Sequence, residues 1–201
     1  MRVYGEIRKP GSIGAPFINT TIKIIDPDTY EELPYNTTGE ICISGPGMMI
    51  GYYGNDELTK KTIKEHSDGL KWVHTGDLGH MDEDGFLFHD GRIKRMIVRF
   101  DGFKIYPEAV EATIVKHPLV SQCSVIKAKK EGTGIIAKAV IVLNEDAADD
   151  KEVIWNQILE LCKEDMAERA IPQEHEFVKS LPLTSMGKVD YLALEKQAEG
   201  K

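Results

Sequence analysis

Short apolar stretches separated by polar turns fill the first half of the chain. The predicted strands here cover residues 22–25, 40–43, 70–75 and 86–89. Asp84-Gly85 separates the last two and is a strong signal for a β-hairpin turn. Only residues 57–65 have the pattern of a helix. The first half is therefore predicted to be a small β structure.

Past Gly91 the pattern changes, since longer segments with helical spacing alternate with strands. Pro107 suits the first turn of a helix that ends at His117-Pro118. A longer helix is predicted from the capping pair Asp149-Asp150 to about Arg169. The predicted strands of this half cover residues 120–128, 135–143 and 176–179.

The change of pattern predicts two domains. We place their boundary in the polar segment 90–94, which gives domains at 1–91 and 92–201. The predicted fold class is α+β. A small β subdomain is followed by an α+β domain, in which a short hairpin and a mixed or antiparallel sheet are packed by helices.

Composition narrows the class of protein. The chain has 201 residues, is 41% hydrophobic and carries a formal charge of -8, so a core is expected and a basic surface for duplex nucleic acid is not. Its most apolar window, 135–143, is too short to span a membrane. Cys42, Cys123 and Cys162 lack metal-ligand spacing and predict buried, reduced thiols in the cytoplasm.

A first candidate for chemistry is Asp77, in the segment His-Thr-Gly-Asp-Leu-Gly at 74–79. An ionised carboxylate offers two acceptor oxygens that suit the adjacent hydroxyls of a ribose. The alternative is an Asx-turn aspartate that closes the end of a strand. His74, His80 and His89 alternate with apolar residues and are interpreted as packed or surface histidines.

A second candidate is Arg92, in the basic segment Asp-Gly-Arg-Ile-Lys-Arg at 90–95. Its guanidinium has a fixed fork of donors that can reach a sugar or phosphates. The alternative is a solvated basic strand face, and we keep that interpretation for Arg95 and Arg99.

The third candidate is Lys188, in the run Leu-Pro-Leu-Thr-Ser-Met-Gly-Lys-Val-Asp at 181–190. Proline, hydroxyl residues and glycine favour an open loop from which one ammonium group can reach an anion. A lone Gly-Lys pair is usually a surface lysine. The Gly-Lys pair indicates a functional site because of its order and spacing relative to Asp77 and Arg92.

Together the three motifs resemble the C-terminal portion of the adenylate-forming enzymes, which include acyl-CoA synthetases, peptide-synthetase adenylation domains and luciferases. The resemblance implies that Asp77 and Arg92 hold the ribose of ATP or AMP, that Lys188 is catalytic and that Lys94 is a domain hinge. Residues 101–107 resemble the loop that lines the pantetheine passage, with Gly102 beside the thiol, although this loop has one residue more before its proline than the commonest family pattern.

The resemblance also implies cofactors and partners. These are ATP, Mg²⁺ held by residues upstream in the family, a carboxylic acid, and CoA or a carrier-protein pantetheine. We expect a fragment of an AMP-forming carboxylate–CoA ligase that is inactive without the N-terminal large domain. The alternatives are a peptide-synthetase adenylation domain and a non-catalytic module that binds a carrier protein or subunit.

Overall fold

The computed structural model describes residues 9–145, 147 and 150–199. It divides into two compact units, of which the first reaches Lys94 and the second begins at Arg95. The division falls at the end of the polar segment 90–94. Arg92 therefore belongs to the first unit, whereas the predicted domain 92–201 includes it in the second.

The first unit is built on an antiparallel sheet. Its strands are β1 (Ser12–Gly14), β2 (Thr21–Ile25), β3 (Gly39–Ser44), β4 (Ile63–Glu65), β5 (Lys71–Met81) and β6 (Leu87–Arg92). They lie in the order β1-β6-β5-β3-β2, and β4 also pairs with β5. The connection from β5 to β6 contains Gly85, whose φ of 83° suits a tight turn. This confirms the hairpin predicted from Asp84-Gly85.

The helix predicted at 57–65 is correct only in its first part. Helix α1 covers Asp56–Thr62, and the side chain of Asn55 accepts a hydrogen bond from the backbone N–H of Leu58 at 2.9 Å. Residues 63–65 instead form β4 and pair with Lys71–Val73 of β5. Tertiary pairing therefore overrides the helical pattern at this end.

Two small apolar clusters form the core of the first unit. One contains Ile24, Ile41 and Leu87, and the other contains Ile25, Cys42 and Trp72. Successive residues of a strand point to opposite faces, so β2 and β3 contribute to both clusters. Several large apolar side chains of this unit lie in solvent: Phe17, Ile18, Ile50 and Tyr53.

The second unit has α+β architecture. Its elements are β7 (Ile97–Val98), β8 (Lys104–Ile105), α2 (Pro107–Ile114), β9 (Val120–Lys130), β10 (Gly134–Leu143), α3 (Lys151–Asp165), β11 (Glu174–Val178) and α4 (Tyr191–Glu199). β7 and β8 form a short hairpin, while β10 pairs antiparallel with β9 and parallel with β11. The predicted fold class, with its hairpin and mixed sheet, is confirmed.

Both faces of the second sheet are covered, which explains why β10 is almost continuously apolar. Val125 belongs to the larger cluster, which also contains Ile114 of α2 and Ile158 of α3. Ile126, the next residue, faces the other way and packs with Leu194 of α4. Among the described residues, no helix has both the length and the apolar character that a membrane span requires.

The boundaries of helix α3 and strand β11 differ from the predictions. Helix α3 begins after Asp150, whose side chain accepts a hydrogen bond from the N–H of Glu152, while Asp149 lies outside the described residues. It ends at Asp165 because Met166 is extended, so Arg169 belongs to a separate 3₁₀ turn, Glu168–Ala170. Strand β11 covers residues 174–178 instead of 176–179.

Arg95 and Arg99 do not form a solvated face, so that interpretation was wrong. The Arg95 side chain is 15% exposed and donates to Glu111 and to Glu108, the latter at 3.3 Å. The Arg99 side chain is 9% exposed, and its Nη1 donates to the carbonyl of Arg169 at 2.7 Å. Both arginine side chains are therefore mostly shielded from solvent, and the second unit supplies acceptors for them.

Candidate functional site

The structure brings Asp77 and Arg92 together within the first unit. They are directly opposite each other on the neighbouring strands β5 and β6. Arg92 Nε lies 2.8 Å from Asp77 Oδ1, and the two side chains are 62% and 26% exposed, respectively. Cross-strand register therefore places a guanidinium beside a half-buried carboxylate.

One oxygen of this carboxylate has unused hydrogen-bonding capacity. Asp77 Oδ1 is buried, yet it accepts no hydrogen bond within the described part of the chain. Its contact with Arg92 is thus an ion pair in which the N–H does not point at the oxygen. His89 Nε2 lies 3.8 Å from the same oxygen. A buried acceptor without a donor is costly, so this atom is suited to a ligand hydroxyl.

The backbone around Asp77 is held by specific hydrogen bonds. Gly76 has φ of 71°, and its N–H donates to Glu40 Oε1 at 3.0 Å. Thr75 Oγ1 accepts from the N–H of Asp77 at 3.0 Å and donates to the carbonyl of Ile41 at 2.8 Å. In the described residues no backbone N–H bonds to the Asp77 carboxylate, and Asp77 lies inside β5, so the Asx-turn alternative is not supported.

Beneath this segment lies a cluster of buried polar side chains. His74 Nδ1 is 2.8 Å from Glu40 Oε2, and His74 Nε2 is 2.9 Å from His66 Nε2. Ligand atoms of Glu40, Cys42 and His74 all lie within 4.8 Å of one another. Burial raises the pKa of the Cys42 thiol to about 12, and burial followed by Lys23 lowers the pKa of His66. His74 is packed, as expected.

Lys188 lies in an exposed loop of the second unit, between β11 and α4. An isolated β-bridge between Leu183 and Val189 closes the loop, and Gly187 turns it with φ of 74°. The N–H of Thr184 donates to the carbonyl of Lys188 at 2.7 Å. No hydrogen bond or ion pair engages the Lys188 ammonium among the described residues. It is therefore available for an anion.

The two other predicted residues occupy a turn and a boundary. Gly102 lies in the turn between β7 and β8 with φ of 79°, and nothing lies within 4 Å of the position its Cβ would occupy. Its glycine is explained here by backbone conformation. Lys94 is exposed, lies in the 3₁₀ turn Ile93–Arg95, and is the last residue of the first unit.

Two residues near Asp77 were not predicted. His89 was interpreted as packed or superficial, and Glu40 was assigned only to a strand. The available signal for Glu40 was a charged residue in the otherwise apolar strand Gly-Glu-Ile-Cys-Ile-Ser. Lys188 and Gly102 lie in separate loops of the second unit.

Two family models match the chain. The model of the AMP-binding enzymes matches residues 2–53, and that of the AMP-binding enzyme C-terminal domain matches residues 109–188. The second match ends at Lys188, and Asp77 and Arg92 lie between the two matched segments.

Individual proteins are similar over nearly the whole chain. It is 38% identical to 4-coumarate–CoA ligase-like 1 of Arabidopsis thaliana over 183 residues, and 34% identical to a long-chain-fatty-acid–CoA ligase of Salmonella typhimurium over 191 residues. These alignments cover 91% and 95% of this chain but 32% of each relative.

A solved structure has the same fold. ATP-bound MatB from Rhodopseudomonas palustris matches with a TM-score of 0.81 and 31% identity, over 98% of this chain and 37% of that chain. The chain belongs to the AMP-binding, adenylate-forming enzymes of the acyl-CoA synthetase type.

Proposed function

We propose that this chain supplies the ribose-binding strand pair and the lysine-bearing C-terminal domain of an ATP-dependent, AMP-forming carboxylate–CoA ligase. The observation that carries the proposal is the buried oxygen Asp77 Oδ1, which lacks a hydrogen bond beside Arg92. A ribose hydroxyl would donate to this carboxylate, beside which Arg92 Nε lies at 2.8 Å. The ATP bound to the similar MatB structure supports a nucleotide as the ligand.

Lys188 would serve the first half-reaction. A carboxylate oxygen of the acid attacks the α-phosphorus of ATP, the bond from that phosphorus to the bridging oxygen breaks, and pyrophosphate leaves. Negative charge develops on oxygens that repel one another. An ammonium group on an open loop can neutralise this charge more strongly in the transition state than in the ground state.

The second half-reaction would transfer the acyl group to a thiol. The thiol sulfur attacks the acyl carbon of the adenylate, AMP leaves, and the thiol proton passes to solvent. Two relatives are named as CoA ligases, which favours CoA over a carrier protein as the acceptor. Gly102 would lie beside the pantetheine, and Lys94 would be the hinge between the two half-reactions.

Mg²⁺ does not fit the pair of Asp77 and Arg92. Asp77 is already neutralised by Arg92 at 2.8 Å, and Mg²⁺ prefers several oxygen ligands with an unopposed charge. We assign the ion to residues outside this chain's motifs, together with the acid pocket. Because the magnesium ion and the acid would be bound by other residues, the chain by itself should have little turnover. Robust carboxylate-dependent ATP–pyrophosphate exchange by the 201-residue protein would contradict this part of the proposal.

Titration with AMP and with 2′-deoxy-AMP, followed by amide chemical shifts, tests the ribose role. We expect AMP to shift the amides around Asp77 and Arg92 and to bind at least about tenfold more tightly than 2′-deoxy-AMP, because a charged hydrogen bond contributes about 1.5–3 kcal/mol. In Asp77→Ala the preference for AMP should disappear.

The control is Asp84→Ala, which removes an exposed carboxylate of the same unit that pairs with Lys9 at 2.6 Å. It should keep the preference for AMP. Equal affinities of the two nucleotides for the unaltered protein, or an unchanged preference in Asp77→Ala, would remove Asp77 from the site.

A further inference from the structure

A chain of buried hydrogen bonds runs from the surface to the backbone that presents Asp77. It begins at His66, passes through His74 and Glu40, and ends at the N–H of Gly76. We propose that Glu40 is a positioning residue, which fixes the Gly76 backbone and thereby the direction of the Asp77 carboxylate. The functional importance of this positioning rests on the proposed role of Asp77, whereas the experiments that test the positioning itself do not depend on that role.

Sheet register explains how these residues meet. Cys42 of β3 is directly opposite His74 of β5, and Glu40 precedes Cys42 by two residues on the same face. Glu40 is 6% exposed and His74 is 8% exposed. The pairing therefore places a buried carboxylate between an imidazole and a backbone amide that is 36 residues away in sequence.

The Gly76 N–H is a fixed donor, and it sets the direction of the whole chain. An ionised Glu40 can only accept hydrogen bonds, so it accepts from Gly76 on Oε1 and from a protonated Nδ1 on Oε2. His74 Nε2 must then accept, and His66 Nε2 must carry a proton and donate to it. For an ionised Glu40 and a neutral His74, each donor points toward Glu40, and this arrangement fixes one tautomer for each histidine.

The same cluster contains ligand types that bind metal ions, but its hydrogen bonds leave no donor set free. Both oxygens of Glu40 and both ring nitrogens of His74 already have partners. The geometry is that of a positioning network, in which the side chains of Glu40 and His74 are already engaged.

Glu40 is also the acceptor on which Gly76 depends. Gly76 has φ of 71° and open space where a Cβ would be, so packing does not hold its backbone. The hydrogen bond from its N–H to Glu40 supplies that restraint. Without the carboxylate, the Gly76 N–H would lose its acceptor, and the bond from the Asp77 N–H to Thr75 Oγ1 would remain as the restraint on the next peptide.

The first experiment reads the histidine tautomers in Glu40→Gln by long-range proton–nitrogen spectra of the 201-residue protein. The glutamine oxygen can still accept from Gly76, but its NH₂ group then faces His74 Nδ1. We expect the proton to move from Nδ1 to Nε2 of His74. A side chain that only fills space would leave the tautomer unchanged, and an unchanged tautomer would overturn the proposal.

The second experiment measures amide hydrogen exchange at Gly76 in Glu40→Ala. We expect exchange at least tenfold faster, because both buried acceptor oxygens are removed. The matched control is Cys42→Ala, which opens space in the same buried cluster and leaves the hydrogen bonds intact. Its Gly76 exchange should stay within twofold of the unaltered protein. Equal acceleration in both variants would show general loosening and would contradict the proposal.

If Glu40→Ala fails to fold, the tautomer in Glu40→Gln decides the question. A third measurement adds one equivalent of Zn²⁺ to the unaltered protein. Unchanged ring resonances of His66 and His74 support the hydrogen-bonded chain, and broad or shifted resonances would overturn it in favour of a metal site. None of these readouts needs nucleotide, so an absence of AMP binding would contradict the proposed function and leave this inference to its own tests.

Discussion

The Asp77 segment and the Lys188 loop use the same local device in different surroundings. Each functional residue follows a glycine with positive φ, 71° at Gly76 and 74° at Gly187. Gly76 is bonded to buried Glu40, which is distant in sequence. Gly187 is bonded to Thr184 in its own exposed loop, at 2.9 Å. The carboxylate is held by its unit's interior, whereas the ammonium is held only by its own turn.

This difference suits the proposed roles. A ribose needs an acceptor at a fixed position, since bidentate hydrogen bonds depend on geometry. Charge that develops during phosphoryl transfer can be met by a flexible side chain on a loop that adapts. The ends of the Lys188 loop are nevertheless anchored, because Leu181 and Leu194 pack in one buried cluster.

The largest expected effect is on catalysis and comes from the weakly held loop. In a ligase chain that carries these residues behind a large domain, Lys188→Ala should slow adenylation by about 10²–10³-fold, the usual loss when one transition-state donor is removed. Thioester formation from supplied acyl-adenylate should be largely unchanged. Rapid-quench assays of the two half-reactions measure this.

Lys196→Ala provides the control for Lys188→Ala, since it removes a lysine from nearby α4 and should leave both rates unchanged. Equal loss of both half-reactions in Lys188→Ala would contradict the assigned role.

The second effect is on stability and comes from the tightly held segment. Glu40→Ala should lower the free energy of unfolding of the first unit by about 2–3 kcal/mol, because it leaves a buried N–H and a buried imidazole nitrogen without partners. Thr184→Ala should cost the second unit less than about 0.5 kcal/mol, because its bonds are exposed. Urea unfolding measures both changes.

The two tryptophans make the units separable. Trp72 lies in the first unit and Trp155 in the second, so fluorescence of a Trp155→Phe background reports the first and that of Trp72→Phe the second. If Thr184→Ala destabilises its unit as much as Glu40→Ala does, the two segments are held alike and the comparison fails.

The third effect is a loss of stability that should be equal in the Asp77 segment and the Lys188 loop. Gly76→Ala and Gly187→Ala each place a Cβ in the left-handed region, at a cost of about 1–2 kcal/mol per residue. Nothing lies within 4 Å of either Cβ position, so steric contact adds nothing. Unequal losses by the same fluorescence method would show that the surroundings matter more than the backbone. Gly85→Ala, at φ of 83°, is a control outside both segments.

The smallest effect concerns pH and His66, the outer residue of the buried chain. Burial lowers the pKa of His66 below its ordinary value of 6.5, so the unfolded state binds more protons than the folded state. The stabilising contribution is complete above pH 6.5 and is lost as the pH falls toward the folded-state pKa. Urea midpoints of the first unit should fall on acidification, and His66→Gln should reduce that slope. An unchanged slope would remove His66 from the explanation.

The sequence was informative where a local rule decides the structure. Asp84-Gly85 specified a hairpin, Pro107 began a helix, and the Lys188 run formed an open loop. The pairing of Asp77 with Arg92 follows from the same hairpin, because its register places them opposite each other.

Other features depend on partners that are distant in the chain. Glu40 became a buried acceptor only because β3 pairs with β5, and no local pattern encodes that pairing. Residues 63–65 have a helical sequence pattern but form a strand that pairs with β5. Arg95 is buried because Glu108 and Glu111 lie on one face of α2, three residues apart, and receive its guanidinium. Sequence spacing cannot reveal which surface such residues will meet.

Cys42 can serve as a chemical probe of local opening in the sheet beneath Asp77. It is the one cysteine of the first unit's sequence and is fully buried, with a thiol that keeps its proton at neutral pH. An alkylating reagent can label it only when β3 and β5 separate, so the labelling rate counts those openings. The buried region that fixes the Asp77 carboxylate thus contains a residue whose labelling rate reports how often that region opens.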